Sequence, residues 1–219
     1  MELAIISDEI SLKLEESLRH GKAFGIRTYE IRCLDDFDHR VPDVRPERIG
    51  ELERAVSSGE IRITALSPGT FKIRLSEEEA LRRQMEDTLP RCCELAQRLG
   101  ANRIIAFGFM REEGGRLEEA LFRLCEAGKV ADRYGLELSI ENEPGSYCDT
   151  GIHTAEVIRS INLPHVGVNW DPANAVFAGE AAFPIGYEAV LPHIQNVHIK
   201  DGIPLPAGKW ENRLLGDGG

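Results

Sequence analysis

Residues 136–144 read LELSIENEP, residues 166–174 read VGVNWDPAN and residues 194–201 read IQNVHIKD. The alternation within these three stretches decides the architecture, because successive side chains of an extended strand point to opposite faces. The first sends Leu136, Leu138 and Ile140 one way and Ser139 and Glu141 the other. The second divides Val166, Val168 and Trp170 from Gly167, Asn169 and Asp171, and the third divides Val197 and Ile199 from Asn196, His198 and Lys200. Each strand thus has an apolar side for packing helices and a polar side that sharpens toward its C-terminal end. In a parallel barrel the polar sides converge inward and the C-terminal ends form the mouth, where active sites lie. Glu141, Asp171 and His198 would all arrive there.

Working outward, short apolar runs alternate with longer amphipathic ones along the whole chain. Strands are expected at 3–6, 28–32, 62–66, 103–107, 137–141, 166–171 and 195–200. A helix over 46–58 opens with Pro46 in its first turn and stops before Gly59. Ser76 with Glu79 has the spacing of a capping box, and the helix it opens ends before Gly100, kinked or split by Pro90. Leu117, Ala120, Leu121, Leu124, Ala127, Val130 and Ala131 form an apolar stripe at helical spacing, closed by Gly135. Seven strand–helix alternations repeating about every thirty residues indicate parallel βαβ units. An open doubly wound sheet and an eight-stranded barrel both satisfy that spacing. No GxGxxG follows the first strand and no GxxxxGK[ST] occurs, so the nucleotide-binding open sheets lose support.

Composition bounds the rest. The 219 residues, 42% of them hydrophobic, suffice for one sizeable core, and no Pro/Gly/Ser-rich linker divides them, so a single domain over 1–219 is expected. A net charge of −11 disfavours a broad nucleic-acid-binding face. The five cysteines show no CxxC pair, which reads as reduced thiols in a cytoplasmic protein. No apolar run approaches the ~20 residues of a membrane span, and MELAIISDEI is not a signal peptide.

Two carboxylates and an imidazole suit a divalent ion such as Mn²⁺, Mg²⁺, Co²⁺ or Zn²⁺ and leave positions open for substrate oxygens, as a catalytic centre requires. Each residue alone has an ordinary explanation: a solvated carboxylate for Glu141, a turn residue before Pro172 for Asp171, a hydrogen-bonded core histidine for His198. Their recurrence on three successive strands favours a common site. Lys200, inward by alternation, is a candidate for holding a substrate oxygen or phosphate, although a salt bridge to Asp201 would explain it equally well. Asn169, Glu30 and Lys72 are further candidates for the substrate pocket, and His153 reads as a first-turn helix residue.

The segments SIENEP, GVNWDPANA and NVHIKDG, with ISDEIS at the start and ALSPGTFKI in the third unit, resemble the xylose isomerase-like barrel superfamily, in its sugar phosphate isomerase/epimerase group. The resemblance implies a (β/α)8 TIM barrel with one divalent metal ion, held by Glu from strand five, Asp from strand six, His from strand seven and Glu from strand eight. The first three fall on Glu141, Asp171 and His198. Many relatives carry His three residues after the Asp, where this chain has Asn174. The last strand–helix unit, with its Glu, has no counterpart here, so this chain alone is expected to be inactive or nearly so. The implied activity is isomerisation or epimerisation of a small sugar, keto-sugar or sugar phosphate by proton transfer through an enediolate, with Glu141 as an acid/base. A metal-dependent lyase or dehydratase shares the same triad. An endonuclease IV-like phosphodiesterase would need more histidines than the six present. The resemblance also leaves room for a homo-oligomer.

Overall fold

The structure is a computed structural model and describes residues 2–205 and 209–218. Seven strands form one sheet in which neighbours follow chain order without reversal: β1 (Ile5–Ile6), β2 (Thr28–Ile31), β3 (Arg62–Leu66), β4 (Arg103–Phe107), β5 (Glu137–Glu141), β6 (Val166–Trp170) and β7 (Ile194–Val197). The pairs β1–β2, β2–β3, β3–β4 and β6–β7 are parallel. A doubly wound sheet reverses its strand order at a switch point, and this sheet has none. The ordering is that of a (β/α) barrel. Among the described residues seven of its strands are present.

The chain divides into two compact units, Met1–Thr70 with Glu79–Ala106 and Ala127–Leu138, and Phe71–Glu78 with Phe107–Glu126 and Ser139–Gly219. In the first unit, Ile31, Leu52, Ile63, Leu66, Leu89, Leu99 and Ile104 are buried from strands and helices alike. Helix Pro46–Ser57 starts at Pro46 as expected. The expected break at Pro90 takes a specific form: Glu78–Arg83 passes through a π turn, Gln84–Thr88, into helix Leu89–Leu99. Proline supplies no N–H to the carbonyl four residues back, and a widened turn accommodates that loss. Gly100, at φ 68°, closes the helix in the left-handed conformation that glycine adopts without strain. Ser76, expected to cap this run, instead donates from its main-chain N and its hydroxyl to Glu112 of the second unit, in which Ser76 also lies.

In the second unit the segments just past the strand ends position the polar residues. Helix Gly151–Ile161 is capped by Thr150, whose hydroxyl accepts from His153 N. Helix Pro172–Phe177 starts immediately after β6 and is capped by Asp171. After β7, residues Asp201–Leu205 and Lys209–Arg213 pair as an antiparallel hairpin that alternation did not announce, and Trp210 of it stacks on Phe177 at 4.3 Å between ring centroids. The seventh strand is accordingly shorter than expected: Ile194–Val197, with His198 and Lys200 beyond its end. No helix among the described residues is long and apolar enough to cross a membrane.

Candidate metal centre

Glu141 is the last residue of β5, Asp171 comes directly after the last residue of β6, and His198 directly after the last of β7. His198 N still donates to Trp170 O at 2.9 Å, so the ladder continues for one residue and fixes the histidine backbone beside β6. Each of the three side chains offers a ligand atom, and these atoms all lie within 4.8 Å of one another. His198 Nδ1 is 3.3 Å from Glu141 Oε2. Glu141 is 8% exposed and Asp171 1%. All belong to the second compact unit.

Four asparagines organise the charged groups. Asn169, inward on β6, donates through Nδ2 to Glu141 Oε2 at 3.1 Å and lies 3.0 Å from His198 Nδ1. The second contact is a hydrogen bond when Nδ1 is the unprotonated ring nitrogen. Asn196 Nδ2 in turn donates to Asn169 Oδ1 at 3.0 Å, which orients the amide. Asn142 grips the next strand reciprocally: its Nδ2 donates to Asp171 O at 2.8 Å, and Asp171 N donates to its Oδ1 at 2.7 Å. Asn174 donates through Nδ2 to Asn142 O at 2.7 Å, and the same nitrogen stands 3.3 Å from Glu143 Oε2 and 3.5 Å from Glu141 Oε1. Alternation placed Asn169 and Asn196 on the polar faces; Asn142 and Asn174 lie just past strand ends, where a two-residue period no longer assigns faces.

Asp171 uses its two carboxylate oxygens differently. Its Oδ1 accepts from Asn174 N at 3.0 Å as a helix cap, while Oδ2 meets Lys200 Nζ at 2.9 Å. Burial pushes the Asp171 carboxyl up from its ordinary value and nearby Glu141 adds to this, while Lys200 and the Asn174 N–H pull it down. Lys200 therefore partners Asp171, and also Asn174 Oδ1 at 2.6 Å. Lys72 pairs with Glu143 Oε1 at 2.6 Å and stands 4.9 Å from the Phe107 ring centroid. Glu30, 4% exposed, belongs to the first unit, where Ser67 Oγ donates to it. His153 is a first-turn residue whose Nδ1 lies 2.6 Å from Asp149 Oδ1.

The donor set fits a small divalent ion. Bonds of about 2.1 Å place donors ~3 Å apart when adjacent and ~4.2 Å when opposite, so atoms within 4.8 Å of one another reach a shared ion by closing at most about 2 Å. Two carboxylates and an imidazole are hard-to-borderline ligands, matching Mn²⁺, Mg²⁺, Co²⁺ or Zn²⁺.

A (β/α) barrel with two carboxylates and an imidazole gathered at the ends of its fifth to seventh strands defines a class of protein. The chain belongs to the xylose isomerase-like TIM barrel family, whose model matches residues 18–218. No curated protein matches it significantly. Solved structures similar to it include the IOLI protein with a bound zinc atom (20% identity, 95% of this chain and 76% of that one, TM-score 0.74). Another is the probable 3-DHS dehydratase AsbF of petrobactin synthesis from Bacillus anthracis (17% identity, 92% and 74%, TM-score 0.72). A third is a D-allulose 3-epimerase from Methylomonas sp. in complex with D-allulose (14% identity, 89% and 69%, TM-score 0.68). At these identities the likeness is one of fold.

Proposed function

We propose that this chain carries the metal centre of an isomerase or epimerase acting on a small sugar, keto-sugar or sugar phosphate. The observation that carries the reading is the convergence of Glu141, Asp171 and His198 within ligand distance. In this reading the three residues hold a divalent ion, which when bound supplies Lewis-acid polarisation of a substrate carbonyl. Glu141 takes a proton from the carbon beside that carbonyl and returns it to the neighbouring carbon on the same face, whereas epimerisation requires a second acid on the opposite face. Asn169 and Asn174, on its two oxygens, hold the carboxylate in one orientation for both transfers. Asn142 fixes the Asp171 backbone, and Lys200 and Lys72 are the cations near the centre that could meet an anionic substituent of the substrate. The family membership and the likeness to an epimerase fold support the reading; the likeness to a probable dehydratase keeps a lyase as the alternative outcome.

The experiment is incubation of the intact protein with Mn²⁺ and a panel of keto-sugars and their phosphates in deuterated water. Deuterium at the carbon beside the carbonyl together with an isomeric product supports the proposal. Release of water to give an unsaturated product points to the lyase. Absence of exchange and of product across the panel counts against both.

A further inference from the structure

We propose that Lys200 is a resident counter-cation for Asp171, which a divalent ion must displace to enter the centre; the inference rests on the metal-centre reading above. Lys200 Nζ is seated by two acceptors, Asp171 Oδ2 at 2.9 Å and Asn174 Oδ1 at 2.6 Å. The side chain of Asp171 is 2% exposed, so little water screens its charge, and a buried carboxylate is retained only with a partner. Its other oxygen is engaged by Asn174 N, which leaves Oδ2, the oxygen facing Lys200, as the better placed to take a new ligand. The seat exists because residue 174 is asparagine: its amide nitrogen is committed to Asn142 O, which turns its oxygen toward the ammonium.

The two ends of this ion pair differ in freedom. Asp171 is capped, clamped by Asn142 and buried. The Lys200 side chain is 37% exposed, and its Nζ lies 5.5 Å from the Phe177 ring centroid, a face that attracts cations. A flexible four-carbon stem with an exposed path can leave, whereas the carboxylate cannot. A divalent ion on Oδ2 would sit beside a fixed positive charge unless the ammonium moved, and burial weakens the screening between the two. In metal-free protein the lysine therefore neutralises the buried carboxylate, and it taxes cation affinity.

The test is calorimetric titration of metal-free protein with Mn²⁺ for wild type, K200M, K200Q and D171N, with thermal denaturation in chelator and in saturating Mn²⁺. Both Lys200 variants are expected to bind Mn²⁺ about tenfold or more tightly than wild type. They are also expected to melt below wild type in chelator, with the gap closing in Mn²⁺. Equal or weaker Mn²⁺ binding by folded Lys200 variants overturns the inference. Should neither variant fold, reductive methylation of the wild-type Lys200 amine, monitored by mass spectrometry, must run faster with Mn²⁺ than without; an unchanged rate is equally fatal. Wild-type binding that D171N abolishes but Lys200 replacement leaves unaltered sinks this inference alone. Failure of the wild type and of every variant to bind Mn²⁺ removes the metal-centre reading with it.

Discussion

Replacing Asn142 with alanine removes two short hydrogen bonds at once and leaves both of their partners on the main chain of a buried residue. Asp171 N loses Oδ1 at 2.7 Å and Asp171 O loses Nδ2 at 2.8 Å, with Asp171 itself 1% exposed and Asn142 fully buried. A buried donor or acceptor left without a partner costs about 1–3 kcal/mol, so the two together cost about 2–6 kcal/mol. A water entering the truncated space would recover part of this and bring the loss toward the lower end. For a chain of this size each kcal/mol lowers the melting temperature by about 2–4 °C, so N142A is expected to melt at least ~4 °C below wild type. Calorimetric melting of wild type and N142A in chelator measures it. Because Asn142 O is a main-chain group, the Asn174 Nδ2 bond to it survives the substitution, and the loss reports on the Asp171 grip alone. A melting temperature within about 1 °C of wild type would refute the claim that Asn142 fixes the backbone of Asp171.

Three further outcomes are expected. E141Q keeps the wild-type far-UV circular dichroism while turnover in the intact protein falls by about 10²- to 10⁴-fold, the usual contribution of a positioned acid/base; retained activity excludes that role. G151A is destabilised by about 1–3 kcal/mol in urea denaturation, because its new Cβ would meet the backbone of Gly186, O at 2.5 Å and Cα at 2.6 Å, which cannot rotate aside; a neutral effect means that this approach is looser than described. Asp201 accepts from the main-chain N–H groups of Gly202, Gly216 and Gly218, which hold its carboxyl below the ordinary value of 3.8. A lowered folded value means that its stabilisation is complete above pH 3.8 and is lost as pH falls through the lower value. Amide exchange at Gly216 and Gly218, monitored by NMR, should therefore lose protection only in that acid range, and in D201N should lack it at all pH values.

The strand-by-strand order of the barrel was legible because buried parallel strands carry a plain signal. Residues 62–66 and 103–107 are largely apolar runs and 137–141 alternates polar with apolar, and the structure has strands at those bounds. The two outer strands were overrun, to 3–6 and 195–200 against Ile5–Ile6 and Ile194–Val197, because apolar residues there serve edges and turns as well as the ladder. Helix–strand spacing alone did not choose between a barrel and an open sheet, since both alternate at the same interval; the resemblance carried by SIENEP, GVNWDPANA and NVHIKDG pointed to the barrel. Pairing order decides it, and that is a long-range property. The hairpin of Asp201–Leu205 with Lys209–Arg213 escaped notice because Pro204 and a short polar run look like a loop. Ser76 and Glu79 show how a local motif is overridden: the capping-box spacing is present, but Glu112 offers both of its oxygens to Ser76.

For the centre itself, alternation found the charged residues and missed what holds them. Glu141, Asp171 and His198 stand out because each puts charge or an imidazole at the C-terminal end of a strand's polar face, whereas Asn142 and Glu143 lie past a strand end and Asn174 in helix Pro172–Phe177, where a two-residue period assigns no face. That second set divides the carboxylates by partner. Asp171 meets Lys200 at 2.9 Å and Glu143 meets Lys72 at 2.6 Å, while Glu141 is met by the amides of Asn169 and Asn174 and by the His198 ring. A carboxylate clamped by an ammonium must give up an ion pair before it engages anything new; one held by amides gives up hydrogen bonds to neutral donors only. On that difference we propose the proton-transfer role for Glu141 and counter-ion roles for Asp171 and Glu143. If turnover instead survived E141Q and vanished on neutral replacement of Glu143, this division would be inverted, and the lysine on Glu143 would have to be read as a reaction partner.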